Sequence, residues 1–168
     1  MKRTVFLVCL LLTLAMAAAA QNQAAVVAPA DMKWVAFPNF PDCVRGAVLH
    51  GDPSSPSGVV LQAKGPAGCK IPWHWHTANE QLGMVSGSAK LEMKDGGAKT
   101  LTAGAYGYLP AKHVHQFACT TACTFFVASD GPFDIHYVNA AGTEISPEQA
   151  LGAKKAPAKA APKGGAKK

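Results

Sequence analysis

The stretch GCKIPWHWHTANEQLGMVSG, from Gly68 to Gly87, places two histidines one residue apart, each next to a tryptophan, and a glutamate four residues further on. Side chains alternate between the two faces of a β-strand, so His74 and His76 are predicted to share one face. A short turn then lets Glu80 open the next strand. The pattern predicts two imidazoles and a carboxylate at one height inside a β-structure, which is part of a metal-binding site.

The segments on both sides of this stretch are predicted to form short β-strands, because they are rich in β-branched and aromatic residues and are separated by glycine, proline and polar turn residues. The predicted strands are VVLQAK (59–64), SAKLEMK (88–94), KTLTAG (99–104), AYGYLP (105–110), HQFAC (115–119), TFFVAS (124–129) and FDIHYV (133–138). The DGG sequence at 95–97 favours a hairpin turn. Only SPEQALG (146–152) favours a short helix. Many short strands without intervening helices indicate an all-β sandwich or barrel.

A histidine far along the chain is the candidate for a fourth ligand. His115 lies on the predicted strand at 115–119, and three imidazoles with one carboxylate suit a divalent transition metal, namely Mn, Fe, Co, Ni, Cu or Zn. The ligand types do not select one metal among these. His113 lies two residues earlier on the same side of the chain. It is either a catalytic rim residue that positions substrate or relays a proton near neutral pH, or a solvent-facing histidine of the turn.

The spacing of these residues resembles the first signature motif of the cupin superfamily, G-x5-H-x-H-x3or4-E-x6-G. Gly68, His74, His76, Glu80 and Gly87 match that motif at every position. The resemblance implies a cupin double-stranded β-helix, which is a jelly-roll barrel. It also implies that both histidines and the glutamate of this motif, together with the histidine of a second motif, hold the metal.

The second cupin motif, G-x5-P-x-G-x2-H-x3-N, is matched in part. Gly104, Pro110 and His115 fit it, whereas Lys112 stands at its second glycine and Cys119 at its asparagine. The asparagine is not a metal ligand, and the lysine predicts a differently shaped turn after the proline. By analogy with small cupins, we expect a small-molecule ligand and a homodimer.

Three classes of function are open. The first is a metal-dependent dioxygenase, similar to the flavonol- and diketone-cleaving cupins, in which Glu80 accepts the hydroxyl proton of an enolic or phenolic substrate. The second is a cupin that binds or senses a small molecule without turnover, since a fold does not fix a function. The third is a sugar isomerase or epimerase. It is disfavoured because few inward charges are predicted and Arg45 is the only arginine beyond residue 20.

The start of the chain differs in composition from the middle. Two basic residues precede VFLVCLLLTLAMAAAA (5–20), in which Ala18 and Ala20 form an A-x-A cleavage site. Residues 1–20 are therefore predicted to be a secretory signal peptide, which makes the protein secreted or periplasmic. A membrane anchor is the alternative, but the apolar core is shorter than the roughly 20 residues that a spanning helix needs. We expect no membrane span.

The end of the chain, residues 152–168, contains only glycine, alanine, proline and lysine and is predicted to be a disordered tail. Residues 21–151, the predicted cupin domain, carry eight basic and ten acidic residues, which gives a formal charge of −2. Lysine-rich tails can bind nucleic acid, but an exported protein seldom meets chromosomal DNA, so no specific nucleic-acid partner is expected. The tail is either solvated without a partner or makes a weak contact with an anionic envelope surface.

Four cysteines remain beyond the predicted signal peptide, and export would allow them to pair. Three connectivities are possible. We favour Cys119 with Cys123, because FACTTACTFF (117–126) looks like two strands joined by a tight turn that brings the sulfur atoms together. Cys43 with Cys69 would then be the second disulfide.

Overall fold

The computed structural model describes residues 24–152, and this part of the chain is built almost entirely of β-strands. The strands are β1 (Arg45–Gly51), β2 (Val59–Gly65), β3 (Lys70–Trp75), β4 (Glu80–Ser86), β5 (Ser88–Met93), β6 (Gly97–Thr102), β7 (Tyr106–Leu109), β8 (His115–Cys119), β9 (Cys123–Ser129), β10 (His136–Val138) and β11 (Glu144–Ile145). A 3-10 turn covers Pro29–Asp31, and helix α1 covers Pro147–Leu151. The predicted signal peptide and the tail from residue 153 onward lie outside the described residues.

The strands form two antiparallel sheets, one in the order β1-β2-β9-β4-β7 and the other in the order β11-β10-β3-β8-β5-β6. From β3 to β10 the chain passes repeatedly from one sheet to the other, and only β5 and β6 are consecutive hydrogen-bonded neighbours in this stretch. Such crossing between two facing sheets is typical of a jelly roll. The predicted all-β jelly-roll fold is confirmed. None of the helices in the described range is long and apolar enough to span a bilayer.

Alternation of side chains along the strands places the core between the two sheets. On β4, the side chains of Glu80, Leu82 and Met84 are buried while those between them are more exposed, as the period of two requires. Phe117 on β8 contacts Phe125 on β9 with ring centroids 4.6 Å apart, and this contact joins the sheets. The inner faces of both sheets therefore form one hydrophobic core.

Both favoured disulfides are present in the structure. Cys43 pairs with Cys69 and Cys119 pairs with Cys123, with Cα–Cα distances of 5.7 and 5.6 Å that are usual for disulfides. The expected reason for the Cys119–Cys123 pair is wrong, because β8 and β9 belong to different sheets and do not form a hairpin. The Cys119–Cys123 disulfide instead closes the crossover between the sheets. Two disulfides are compatible with an oxidising compartment.

The turn at Lys112 has a backbone conformation that is uncommon for a lysine. Lys112 has a φ of 62°, which is the left-handed conformation that glycine favours, and its backbone N–H donates to the His76 carbonyl over 2.9 Å. The lysine thus adopts a backbone conformation that is usual for glycine, and a turn shape that differs from other cupins stays a prediction. The hydrogen bond ties this turn to the histidine-bearing segment.

The Lys112→Gly substitution is expected to raise the free energy of unfolding by about 0.5 kcal/mol, because relief of the left-handed strain exceeds the added freedom of the unfolded chain. Denaturant titration at neutral pH measures the change. Lys112→Ala is the matched control, since alanine keeps the Cβ atom and the strain. A glycine variant that is less stable than the alanine variant would contradict the assignment of strain to this turn.

Candidate metal centre

Three histidine side chains meet between the two sheets. His74 on β3 and His115 on β8 are directly paired across the two strands, and His76 lies one residue beyond the end of β3. All three residues are buried, with exposed fractions of 2–5%, and one nitrogen atom from each lies within 4.8 Å of the others. The two sequence motifs therefore converge, and these three histidines could hold a metal ion.

An irregularity in β3 turns His74 inward. The pairing of β3 with β8 shifts between Ile71 and His74, and both of these residues are buried although they are three positions apart. In a regular strand they would face opposite sides. A bulge of one extra residue resolves the conflict and lets β3 contribute both a core residue and a histidine to the inner face.

The hydrogen bonds of the imidazoles orient all three rings in the same way. His74 Nδ1 lies 2.6 Å from the Pro72 carbonyl and His115 Nδ1 lies 2.9 Å from the His113 carbonyl. His76 Nδ1 is hydrogen-bonded to the Asp134 carbonyl. Because a carbonyl only accepts, each Nδ1 carries the hydrogen, and each neutral ring keeps its lone pair on Nε2. Outer hydrogen bonds of this kind are what fix metal-binding histidines.

Glu80 completes the cluster. Its Oε2 atom lies 3.2 Å from His115 Nε2 and 3.5 Å from His76 Nε2, and the residue is only 6% exposed. Glu80 Oε2 and His76 Nε2 are buried and have no hydrogen-bond partner among residues 24–152. Unpartnered buried acceptors are destabilising, and a divalent cation between them would satisfy both. The residues that are present thus fit a transition metal.

The pKa values of two of these groups favour the forms that bind metals. Burial, and then the neighbouring His115 and His76, hold the pKa of His74 well below its ordinary value of 6.5. Burial raises the pKa of Glu80, but electrostatic interaction with His76 and then with His115 outweighs burial, so that this pKa lies below 4.5. At neutral pH the imidazole is neutral and the carboxylate is ionised, as metal ligation requires.

Acidification is expected to destabilise the metal-free protein because both pKa values are lower in the folded state. The unfolded chain then binds more protons, so stability falls as the pH drops below about 6.5 for His74 and further below about 4.5 for Glu80. Melting temperatures in the presence of a chelator between pH 7.5 and 4 measure this loss. His74→Gln should flatten the decline that begins near pH 6.5. A melting temperature that rises on acidification would contradict the shifts.

The cavity beside the cluster is small and mostly apolar. Its volume is about 30 Å³, which is room for one or two water molecules. The apolar walls are Phe37, Phe40, Val44, Leu61, Ala63, Ile71, Phe125, Val127 and Phe133. Phe125 and Val127 come from a predicted strand, whereas the other three phenylalanines were not predicted as site residues. The only sequence signal for Phe37 and Phe40 is the aromatic and proline pattern of FPNFP (37–41) before the first strand.

The segment at Phe133 and Asp134 forms one side of the site and is not part of a strand. The predicted strand at 133–138 is shortened to β10, His136–Val138. The Asp134 carbonyl accepts from His76, and its carboxylate accepts from the Thr77 backbone N–H over 2.9 Å. Phe133 stacks on the His76 ring with centroids 5.6 Å apart. The Asp134 carbonyl, which a regular strand would use in its ladder, is thus used by His76.

His113 does not lie in the metal-facing cavity. Its Nε2 atom is 3.0 Å from Asp95 Oδ1 on the turn between β5 and β6, and the residue borders a separate surface pocket with Lys94 and Lys112. Its carbonyl, rather than its imidazole, serves the cluster by orienting His115. A catalytic role for its side chain stays a prediction.

Solved structures share this fold at low sequence identity. A putative acetylacetone dioxygenase from Methylibium petroleiphilum PM1 is 23% identical, with a TM-score of 0.58 over 77% of this chain and 95% of that one. An acetylacetone dioxygenase from Acinetobacter johnsonii is 23% identical, with a TM-score of 0.56 over 79% and 90%. An RmlC-like cupin from Shewanella frigidimarina NCIMB 400 is 17% identical, with a TM-score of 0.55 over 67% and 94%.

These structural likenesses establish a cupin fold and nothing finer. No curated protein matches the chain. Residues 22–134 match the family model of the ChrR cupin-like domain. Since this match spans well over half of the 168 residues, the chain belongs to the ChrR cupin-like domain family of the cupin superfamily.

Proposed function

We propose that the protein is a metal-dependent oxidoreductase of the dioxygenase type that acts on a small enolic or phenolic compound. The observation that carries the proposal is the buried set of His74, His76, His115 and Glu80 beside an apolar cavity. These four side chains would hold the ion. A bound divalent transition metal would supply Lewis acidity toward an enolate or phenolate oxygen and, in the case of iron, manganese or copper, the capacity for oxygen chemistry.

The side chains of the cluster have distinct tasks in this proposal. Glu80 is the general base that takes the hydroxyl proton of the substrate, because its lowered pKa keeps it ionised at neutral pH. The carbonyl partners of the histidine Nδ1 atoms keep the rings from turning, which holds the ligand geometry before substrate arrives. The apolar walls exclude water from the reacting oxygen atoms.

The proposed substrate class rests on the residues that line the cavity and on the names of the solved structures that share the fold. Apart from the histidines and Glu80, no charged side chain of the described range lines the cavity, which disfavours a sugar isomerase or epimerase. Two of the solved neighbours are named acetylacetone dioxygenases. Their names make an enolisable diketone a reasonable first substrate to test. Their sequence identity of 23% to this chain supports a shared fold alone.

Oxygen uptake tests the proposal. Protein reconstituted in turn with Fe, Mn, Cu, Co, Ni and Zn is assayed with acetylacetone and a panel of enolic and phenolic compounds. We expect uptake with at least one metal and compound, and loss of that uptake in Glu80→Gln. Asp31→Asn, a change at an exposed residue of the 3-10 turn, is the matched control and keeps the activity. Metal-loaded protein that consumes no oxygen with any compound would contradict the proposal.

The alternative function is metal-dependent binding or sensing of a small molecule without turnover. It needs only the three histidines that could hold a metal ion, since a fold does not fix a function. A rise in melting temperature with ligand, without oxygen uptake or product, would identify this function.

We also propose that the protein is exported and homodimeric. The two disulfides support export. Exposed aromatic residues on the outer face of the five-stranded sheet, Tyr106, Tyr108 and Phe126, would suit contact with a second copy. Light scattering of the mature protein tests the dimer, and mapping of its N-terminus tests cleavage before Gln21. Binding of full-length and tail-deleted protein to anionic vesicles at low salt tests the surface contact of the tail.

A further inference from the structure

Two cavities of very different size share a wall at residues 36–42, a segment that we call the strap. The metal-facing cavity has a volume of about 30 Å³ and the groove on the other side of the strap has about 760 Å³. Phe37 and Phe40 line both. We propose that these two rings form a movable partition, that substrate binds first in the groove, and that displacement of the rings admits its reactive end to the metal.

The positions of the rings support this role. Phe40 stacks on Phe133 with centroids 5.4 Å apart, and Phe133 stacks in turn on His76 at 5.6 Å. A series of three stacked rings thus runs from the groove to the cluster. Phe37 packs edge-on against both phenylalanines. Phe37 and Phe40 are only partly buried, so rotation of their side chains exposes the cavity without unfolding of the strands.

The main chain of the strap is anchored at two points. The Cys43–Cys69 disulfide directly follows the strap and ties its end next to β3. The buried Tyr137 hydroxyl donates to the Asn39 carbonyl over 2.9 Å. Anchored main chain with partly exposed rings favours motion of side chains rather than loss of the whole segment.

The groove has the size and chemistry of a small-molecule site. A volume of about 760 Å³ lies within the usual range for ligand pockets. Its walls include the apolar side chains of Pro38, Pro41, Pro72, Pro147 and Leu151 together with three charged residues, Asp42, Lys70 and Glu148. The ligand that fits both spaces has an apolar body and, at one end, two oxygen donors such as those of an enolisable diketone or a catechol. This assignment of a ligand class rests on the proposed function.

Chemical modification of histidine tests the partition in the metal-free full chain. Diethyl pyrocarbonate is larger than the cavity and acylates accessible imidazole nitrogen atoms, and mass spectrometry gives the rate at each histidine. In the wild type we expect His76 to react at least about tenfold more slowly than the exposed His50, because it reacts only while the rings are displaced. Phe40→Ala should raise the His76 rate at least about tenfold and leave the His50 rate unchanged.

A second variant opens the partition without removing a ring. A Cβ atom at Gly46 would lie 2.1 Å from Phe37 Cε2, so Gly46→Ala must displace that ring and should also raise the His76 rate. Phe126→Ala is the control, because Phe126 is exposed on the outer face of the five-stranded sheet. This change should alter neither the His76 rate nor the His50 rate. Circular dichroism verifies the fold of each variant, and Phe40→Leu replaces Phe40→Ala should the latter not fold. An unchanged His76 rate in both folded opening variants would overturn the partition.

Ligand binding to Co(II)-loaded protein tests the partition and the metal site separately. The d–d absorption spectrum is titrated with azide, which has three heavy atoms, and with acetylacetone. We expect the ratio of acetylacetone affinity to azide affinity to rise at least about tenfold in Phe40→Ala. An unchanged ratio with intact azide binding would refute the partition and leave the metal centre standing. Failure to bind Co(II) would refute the proposed function instead, and the modification rates would then decide on the partition alone.

Discussion

Replacement of His76 by alanine is expected to lower the affinity for a divalent transition metal by at least about 100-fold, which exceeds the usual effect of losing an outer hydrogen-bond partner. His76 Nε2 is buried, unpartnered and 3.5 Å from Glu80 Oε2, and its ring is held by the Asp134 carbonyl. Loss of the imidazole removes one of the proposed ligands from a site that excludes most water. Competition with a chromophoric chelator measures the affinity.

His50→Ala is the matched control for this change, since His50 is exposed on β1 and remote in sequence from both motifs. Its metal affinity should equal that of the wild type. Circular dichroism separates loss of the ligand from loss of the fold. Equal metal affinity of a folded His76→Ala protein and the wild type would mean that the cluster is not the metal site.

Removal of the Cys43–Cys69 disulfide is expected to have the largest effect on stability. The two cysteines are 26 residues apart, and closing a loop of that length restricts the unfolded chain by about 3.5 kcal/mol. The double change Cys43→Ser and Cys69→Ser should therefore lower the free energy of unfolding by about that amount. Denaturant titration of the oxidised protein measures it.

The Cys119–Cys123 disulfide provides the comparison, because its cysteines are only four residues apart. The corresponding double serine variant should lose about 2 kcal/mol, since a shorter loop restricts the unfolded chain less. A larger loss for the short loop than for the long one would show that native contacts, rather than chain restriction, set the contribution of these disulfides. Wild-type protein treated with reductant should be less stable than either double variant.

Much of the site could be predicted because it depends on local rules. Strand alternation predicts that His74 and His76 share one face, and the structure shows both buried in one cluster with Glu80 and His115. That convergence also required the cupin resemblance, since nothing in the local pattern states which distant strand lies beside β3. The ligand role of these residues is a proposal that the geometry supports.

Other features could not be predicted because they depend on contacts between distant segments. Phe37 and Phe40 precede the first strand and have no strand periodicity, so only the folded chain shows that they cover the cluster. The bulge before His74 has no sequence signal apart from Pro72. The strand predicted to begin at Phe133 is shortened because the adjacent Asp134 uses its polar groups to hold His76 and Thr77.

Elemental analysis of the native protein, purified without a histidine tag or chelator, tests the central claim most directly. We expect about one transition-metal ion per chain, as four converging ligands imply, and none in a variant that carries both His74→Ala and His76→Ala. Wild-type protein that stays metal-free after reconstitution with each of the six candidate metals would contradict the account.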